Sequence, residues 1–212
     1  GTTAPDYEPT TTGAVTGKLV DTLPNAWTQN GTVPQVAANV SPFTPGKAGA
    51  GPMSVADFYR LGTGSDNLDF AGDFYACAVF RKGAAATTEH VFGNGVPAVA
   101  GYHMQSSGGV FNFALFGSGA TYTASATGLV DSTSAINVAC GGRSGSNVVA
   151  KANFGTYVTA AAASPLVGTA QQARIGLSSS DTQPLTGTAY ELIFSATTPT
   201  DARFTAIVQR VM

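Results

Sequence analysis

Short apolar segments alternate with turn signals along this chain of 212 residues, and this alternation constrains its fold more than any other feature. Residues 94–95 (Asn-Gly), 107–109 (Ser-Gly-Gly) and 142–146 (Gly-Arg-Ser-Gly-Ser) supply positions that tolerate positive φ between two such segments. Turn signals roughly every ten residues are typical of β-sandwiches and barrels, in which consecutive strands pair as antiparallel hairpins. The spacing therefore predicts an all-β, antiparallel fold.

The predicted strands have apolar residues in alternation or in a continuous run, bounded by Gly, Pro, Asn or Ser. In segment 110–116, Phe111, Phe113 and Leu115 share one face, and the other face is also partly apolar. This pattern predicts a central strand that is covered on both sides. The full set of predicted strands comprises residues 15–20, 53–60, 73–81, 88–93, 98–106, 110–116, 120–127, 134–141, 147–153, 156–160, 172–177 and 188–195.

One helix is predicted, near the C-terminus. Thr200 is a suitable N-cap, and Asp201 places a negative charge at the positive end of the helix dipole. Apolar residues follow at helical spacing, at positions 204, 207, 208 and 211. Such a helix either docks a partner or covers an edge of its own sandwich, and we favour the second. The alanine run 160–163 has no helical apolar stripe and is predicted to be a loop.

Charge and composition exclude several classes of protein. Charged residues make up 10% of the chain and the formal net charge is −2, so there is no basic stripe for nucleic acid. Hydrophobic residues make up 43%, which is too many for a disordered chain. No apolar run approaches the roughly 18 residues of a membrane span, and no signal-peptide pattern is visible. We predict neither nucleic-acid binding nor membrane insertion.

The first 14 residues differ from the rest of the chain. Residues 1–14 lack periodicity, and Pro5 and Pro9 favour an extended conformation. We predict that they form an arm or linker and that residues 15–212 form one sandwich domain. The arm has too few apolar side chains to become ordered alone, and a surface with few charges does little to keep identical copies apart. The sequence therefore predicts a homo-oligomer or a particle-bound subunit.

The two cysteines are too few for a disulfide framework or a zinc site. Both lie in predicted strands. Counting by twos places Cys140 with Ile136 and Val138 on an apolar face, and places Cys77 opposite Phe74. The two side chains are therefore predicted to point to different faces as free thiols. A reactive Cys–His pair would need a neighbouring histidine, and no spacing places one there.

Catalytic patterns are absent from the sequence. Glycoside hydrolysis needs two carboxyl groups about 5–10 Å apart, but Glu89 and Glu191 have no acidic neighbour two or four residues away. The sequence also lacks the zinc-helix, phosphate-loop and nucleophile-elbow motifs. We predict that the protein is not an enzyme. A carboxylate pair drawn from distant strands would make it a polysaccharide hydrolase instead.

One loop concentrates potential metal ligands, namely Asp66, Asn67, Asp69 and Asp73. Hard oxygen donors in a turn suit Ca²⁺, although the spacing is not that of an EF-hand. Asp and Asn also favour Asx-turns, which would explain the cluster without a metal. Calcium at this loop is the only cofactor that the sequence suggests.

Exposed aromatic and polar side chains at the rim of a sandwich are the usual contacts to a glycan. The predicted glycan contacts are Trp27, Tyr102, His103 and Tyr122. Trp27 is the sole tryptophan and lies among polar residues. The alternative for Trp27 is that its ring packs on the core at the end of an early strand.

The order of several segments is also informative. Segment 59–74 contains an edge strand, a small polar loop and an Asp-Phe pair, and Asp73 begins the strand that follows. This order is similar to that of laminin-G-like and concanavalin A-like jelly rolls, with Val79 where the family usually has Trp, Asn137 in place of a His, and Phe154 interrupting an Asn-Gly turn. Further segments resemble the family's meander, hairpin and closing strands: residues 91–95, 101–104, 109–113, 137–155, 173–176 and 185–194.

The resemblance implies a concanavalin A-like antiparallel jelly-roll sandwich with one short C-terminal helix. This fold hosts lectins, glycanases and structural modules, so it implies little about function. The Ala/Thr-rich style is similar to that of modules in bacteriophage virion proteins, such as capsid decorations, tail fibres and adhesins. We therefore predict a non-catalytic virion or extracellular module that attaches to a particle and binds host-surface glycans. A polysaccharide hydrolase and a Ca²⁺-dependent lectin are the alternatives.

Overall fold

The computed structural model describes residues 68, 70, 72–97, 99–117, 119–162, 173–177 and 182–212, together with the backbone of six short strands in the N-terminal part of the chain. Except for Ala14 in the first strand, the predicted arm, residues 1–14, lies outside the described residues. Asp66, Asn67 and Asp69 of the predicted calcium loop lie outside them as well.

The described elements are sixteen strands and one C-terminal helix. In chain order they are β1 (Ala14–Val15), β2 (Lys18–Leu19), β3 (Trp27–Asn30), β4 (Val33–Val36), β5 (Gly49–Ala50), β6 (Phe58–Leu61), β7 (Phe74–Arg81), β8 (Thr88–Val96), β9 (Ala100–Ser107), β10 (Val110–Gly117), β11 (Ala120–Thr127), β12 (Asn137–Ser144), β13 (Asn147–Ala152), β14 (Val158–Ala161), β15 (Arg174–Ile175), β16 (Thr188–Ser195) and α1 (Asp201–Val211).

The strands form two sheets. Sheet A has the order β1-β4-β5-β16-β7-β12-β13-β14, and sheet B has the order β11-β10-β9-β8-β15-β6-β3-β2. The pairings between these strands are antiparallel. The predicted all-β, antiparallel jelly-roll sandwich with one short C-terminal helix is confirmed. The predicted strands missed β3, β4 and β5, and the alanine run predicted to be a loop begins inside β14, which includes Ala160 and Ala161.

The main core lies between the two sheets and is rich in aromatic rings. Phe74 of sheet A packs against Tyr102 and Phe113 of sheet B, with ring centroids 4.8 and 6.1 Å away. On β10, Phe111, Phe113 and Leu115 point into this core. Its outer face is also covered, because Ala114 and Phe116 are each only 1% exposed. The prediction of a central strand covered on both sides is thus confirmed for its second half, whereas Val110 and Asn112 on the outer face are only half-buried.

Helix α1 covers the outer face of sheet A. The Thr200 hydroxyl accepts a hydrogen bond from the Arg203 backbone N–H at 3.2 Å, which is the predicted N-cap. Phe204, Val208 and Val211 are buried against the sheet. The helix therefore covers its own sandwich, as we favoured, but it lies on a sheet face and not at an edge.

The prediction of two free thiols is wrong, because Cys77 and Cys140 form a disulfide. They are direct partners in the register of β7 and β12, with Cα atoms 4.0 Å apart. The apolar face of β12 that carries Cys140 is the outer face beneath Phe204 of α1, and Cys77 shares that face. The prediction failed because sheet A is covered on both faces, so an apolar face did not identify the side of the main core.

The prediction of a hairpin turn at Asn94-Gly95 is also wrong. Both residues lie within β8, and the chain reverses after Val96, which pairs with Ala100 of β9. A Cβ atom on Gly95 would lie 2.2 Å from the Ala100 carbonyl oxygen. Glycine is needed there because the backbones of β8 and β9 approach closely, and its φ of +136° is one that residues with a side chain rarely adopt. The turns at Gly108 and Gly145, with φ of +55° and +57°, lie where we predicted them.

A buried pair of asparagines joins the crossover after β11 to sheet A. Asn153 has a φ of +46° and is 5% exposed. Its Oδ1 accepts from the Val138 N–H at 2.8 Å, and its Nδ2 donates to the Gly128 carbonyl at 2.8 Å and to Asn137 Oδ1 at 3.0 Å. One side chain therefore holds three segments together.

We expect Asn153→Ala to lower the free energy of unfolding by about 3 kcal/mol, because buried hydrogen-bonding groups lose their partners and alanine is strained at positive φ. Urea unfolding followed by fluorescence measures the change. Asn153→Gly removes the same hydrogen bonds without the strain, so it should cost less than the alanine variant. Phe154→Ala is the matched control, since the Phe154 side chain is 62% exposed. Equal stability of the Asn153→Ala variant and the unsubstituted protein would contradict this account.

Candidate functional site

The outer face of sheet B carries the candidate site. The outer face of sheet A is buried beneath α1, where Tyr75, Cys77 and Val79 pack against the helix. Among the described residues, no helix lies on sheet B, and side chains on β11 are exposed along that face. Within the described part of the chain, the outer face of sheet B on the β11 side is therefore the more accessible sheet face.

Four polar residues form a row across this face, which we call the polar row: His90 of β8, Gln105 of β9, Asn112 of β10 and Ser125 of β11. Each is the direct cross-strand partner of the next. Directly opposed residues of antiparallel strands point to the same side of a sheet, so the four side chains share one face. Exposure rises along the row, from 4% at buried His90, through half-buried Gln105 and Asn112, to exposed Ser125.

Hydrogen bonds join the side chains of the row. The Ser125 hydroxyl donates to Asn112 Oδ1 at 2.7 Å. The Gln105 Nε2 lies 3.3 Å from His90 Nε2 and donates to Gln183 Oε1 at 3.3 Å. Gln183, which has a φ of +55°, thus extends the row beyond His90. Asn112 Nδ2 has no hydrogen-bond partner among the described residues, so it is free to bind a ligand oxygen.

A second histidine lies beside the row. The rings of His90 and His103 meet edge to face with centroids 4.9 Å apart, and His103 packs in the same way against Phe116 at 4.9 Å. Burial lowers the pKa of His90 to about 4. Burial, together with the charge on His90, lowers the pKa of His103 to about 3. Both imidazoles are therefore uncharged at neutral pH, and the polar row presents amide, imidazole and hydroxyl groups without a net charge.

The loop that carries Gln183 is held to β8 by hydrogen bonds at two points, Gln183 and Thr186. The backbone N–H of His90 donates to the Gln183 carbonyl at 2.8 Å. The Glu89 carboxylate accepts from the Thr186 N–H at 3.1 Å, from the Thr186 hydroxyl and from the Gly83 N–H at 3.2 Å. Glu89 is 1% exposed. The Glu89 carboxylate fixes the backbone of Thr186 and Gly83. This contact helps to position Gln183 at the end of the polar row.

The two glutamates that the hydrolase alternative requires are not brought together. Glu89 lies in sheet B, whereas Glu191 lies on the helix-covered face of sheet A and pairs with Arg210 at 2.7 Å. The geometry provides no acid and base facing one substrate at these two positions.

The predicted glycan contacts lie in different surroundings. His103 lies on the outer face of sheet B, beside the polar row. The expectation of an exposed ring is wrong for Tyr102, which is 2% exposed in the core and donates to the Leu68 carbonyl at 3.2 Å. Tyr122 is half-buried and packs against the same core. Trp27 begins β3 of sheet B, and its side chain lies outside the described residues.

Asp73 is the only predicted calcium ligand within the described residues. Its Oδ1 accepts from the Gly145 N–H at 2.7 Å and its Oδ2 accepts from the Thr198 hydroxyl at 2.8 Å. Both oxygens thus join the start of β7 to loops far away in the chain, so Asp73 has a structural role that is not that of a local Asx-turn. No group of three or more His, Cys, Asp or Glu residues in the described part of the chain is arranged to hold a metal ion. The calcium site stays a prediction.

The sequence analysis missed Gln105, Asn112 and Ser125. Each stands at a polar position of an alternating strand, which was a visible signal for an outward side chain. Their alignment in one row depends on the register of four strands, and no sequence pattern specified that register.

Comparisons with known proteins identify the fold. No protein-family model matches the chain, and no curated protein matches its sequence. The binding domain of botulinum neurotoxin DC, solved in complex with rat synaptotagmin II, matches with a TM-score of 0.64 and 9% identity, over 95% of this chain and 51% of that chain. A structure of botulinum neurotoxin type C, whose cell entry depends on two ganglioside molecules, matches with a TM-score of 0.61 and 9% identity. The match covers 95% of this chain and 51% of that chain.

The CBM40 module of the Ruminococcus gnavus IT-sialidase matches with a TM-score of 0.55 and 13% identity, over 69% of this chain and 92% of that chain. The chain has a lectin-like β-sandwich fold. It spans about half the length of the neurotoxin chains that it matches. At these identities the likeness shows the fold alone. No helix in the described residues has both the length and the apolar character to cross a bilayer.

Proposed function

We propose that this chain is a non-catalytic, extracellular glycan-binding module and that the polar row is its binding surface. The observation that carries the proposal is the row itself, in which His90, Gln105, Asn112 and Ser125 are aligned on the sheet face that no described helix covers. Amides and hydroxyls are donors and acceptors at once, and sugar hydroxyls need both.

The dimensions of the row favour an oligosaccharide over a single sugar. The row crosses four strands, and three inter-strand spacings of about 4.8 Å give about 14 Å. Each hydrogen bond contributes only about 1 kcal/mol net. Useful affinity therefore requires contact along the whole row, from Gln183 to Ser125. The neutral histidines favour binding to uncharged hydroxyl groups.

An extracellular location is supported by the buried disulfide between Cys77 and Cys140, because disulfides persist in oxidising compartments and are rare in the cytosol. Structures with this fold include a domain of a toxin whose cell entry depends on gangliosides and a module of a sialidase. Attachment to a virion or capsid is the finer proposal, and it is tested by asking whether the protein co-purifies with particles.

The proposal predicts selective loss of binding from changes in the row. A glycan array identifies a ligand for the full chain, and calorimetry measures its affinity. We expect Gln105→Ala and Asn112→Ala each to weaken binding about tenfold, since each loses hydrogen bonds at the centre of the row. Gln209→Ala is the matched control, because Gln209 is an exposed glutamine on α1 against the other sheet. Retained affinity in both row variants, or a wild-type chain that binds no glycan, contradicts the proposal. Chelation by EDTA tests the predicted calcium site separately.

A further inference from the structure

The turn between β13 and β14 presents an exposed aromatic ring at one corner of the sandwich. Phe154, in this turn, is 62% exposed, and Val130, in the segment between β11 and β12, is 47% exposed. The Val130 N–H and the Asn153 Nδ2 both donate to Asn137 Oδ1, at 2.8 and 3.0 Å, so the two segments meet at one atom. Two of the four large apolar residues that are exposed in the described part of the chain therefore belong to one corner. We call Val130 and Phe154 the apolar corner.

The backbone beneath Phe154 is fixed. The Gly155 N–H donates to the Ala152 carbonyl at 2.8 Å, and the buried Asn153 side chain bonds to three segments. A Cβ atom on Gly155 would lie 2.4 Å from the Thr127 carbonyl oxygen, so the turn packs directly against the end of β11. Because this backbone is already ordered, a ligand that packs on the Phe154 ring has to immobilise little more than the ring itself.

The apolar corner continues the polar row at its exposed end. Ser125 ends the row, and Thr127 lies two residues further along β11, about 7 Å away, with its side chain on the same face. The Thr127 side chain is exposed, and its carbonyl touches the turn that carries Phe154. A ligand that lies along the row and extends past Ser125 and Thr127 therefore arrives at this turn.

The corner carries no free charge. Segments 127–130 and 153–156 contain no charged residue. The next residue, Asp131, is paired with Lys82 at 2.5 Å, so its charge is balanced within the chain. Any contact that a ligand makes at the apolar corner is therefore apolar packing with hydrogen bonds around it, and not ion pairing.

We propose that the apolar corner is a stacking subsite for one sugar ring of the glycan that the polar row binds, with Phe154 as its platform. This inference rests on the proposed function. The C–H groups of a pyranose form an apolar face that packs on an aromatic ring, while its hydroxyls project from the rim. Phe154 offers the face, and the exposed threonines at positions 127 and 156 flank it. A pyranose with equatorial hydroxyls has the most continuous C–H face, so Phe154 favours sugars of this kind at the end of the row.

Substitutions of Phe154 in the full chain test the subsite. The probes are fragments of increasing length of the glycan that the array identifies, and calorimetry measures their affinity. We expect Phe154→Ala to weaken the longest fragment about tenfold and Phe154→Trp to retain its affinity, because tryptophan keeps an aromatic face. Fragments that occupy only the row should bind Phe154→Ala and the unsubstituted chain equally. Val99→Ala, which changes another exposed apolar residue, should alter no affinity. The melting temperature should stay unchanged in all three variants.

The outcomes separate this inference from the proposed function. If Gln105→Ala weakens binding but Phe154→Ala does not, for fragments of every length, the row binds glycan and the stacking subsite is overturned. Equal losses in Phe154→Ala and Phe154→Trp overturn it as well, since the aromatic face then contributes nothing. A full chain that binds no glycan overturns both proposals. Sedimentation tests the other occupant: self-association that Phe154→Ala abolishes would make the corner a contact between copies and not a sugar subsite.

Discussion

Loss of the disulfide between Cys77 and Cys140 is expected to lower the free energy of unfolding by about 4 kcal/mol, because the bridge closes a loop of 63 residues and restricts the unfolded chain. Both sulfur-bearing residues are buried beneath Phe204 of α1, so the bridge is inaccessible to reductant in the folded protein. For a domain of this size a loss of 4 kcal/mol is a large part of the total stability. The double variant Cys77→Ala/Cys140→Ala, unfolded in urea, measures it.

Two controls isolate the bridge from the packing. The stability of the double variant should not change when reductant is added. The unsubstituted protein should lose stability only when it is unfolded in the presence of reductant, because the buried disulfide is reduced only then. Intact mass should show two fewer hydrogen atoms in the native chain than in its fully reduced form. A double variant within 1 kcal/mol of the unsubstituted protein, on this scale of effects, would show that the bridge contributes little.

Acid is expected to destabilise the protein by about 4 kcal/mol between pH 7.5 and pH 5, because the unfolded chain binds two protons there that the folded chain does not. The unfolded pKa of histidine is about 6.5, and burial lowers the folded pKa of His90 to about 4 and that of His103 to about 3. Stability is therefore complete above pH 6.5 and falls as the pH falls toward the folded values. Thermal melts across this range measure it.

The charged groups near the pair do not reverse this sign. Arg174 of β15 lies opposite Gly93, the residue of β8 that faces His103, and it brings no negative charge that would favour protonation. Strand β10 contributes no titratable group.

A second group, Asp131, contributes only at lower pH. A hydrogen bond from the side chain of Lys82 lowers the pKa of the Asp131 carboxyl. The stability that depends on Asp131 is thus present above the ordinary aspartate pKa of about 3.9 and is lost only below it.

The double variant His90→Gln/His103→Gln separates the histidines from every other titrating group. Glutamine keeps a polar side chain in the row but takes up no proton, so the melting temperature of this variant should be nearly flat from pH 7.5 to pH 5. Parallel pH profiles for the variant and the unsubstituted protein would assign the acid sensitivity to other residues. A flat profile for the unsubstituted protein would show that the histidines are not buried as described.

Much of the fold followed from local pattern. Alternation in segment 110–116 predicted the inward Phe111 and Phe113, and the cap at Thr200 marked the first turn of α1. The candidate site was predicted less well. His103 lies on the open face, but Tyr102, one residue earlier in β9, points into the core. Adjacent residues of a strand face opposite sides, so the two could not both contact a ligand on one face.

The sequence by itself determined where most strands, several turns and the C-terminal helix lie, because alternation, positive-φ glycines and capping residues act over a few neighbours. It missed β3, β4 and β5 and misplaced the turn after β8. The tertiary structure decided how those strands align. A strand's alternation defines two faces, but which face meets the core depends on what covers the sheet from outside, here α1. Register between strands then placed Cys77 opposite Cys140 and aligned His90 with Gln105, Asn112 and Ser125. These contacts join residues far apart in the chain, so only the packing of the whole sandwich selects them.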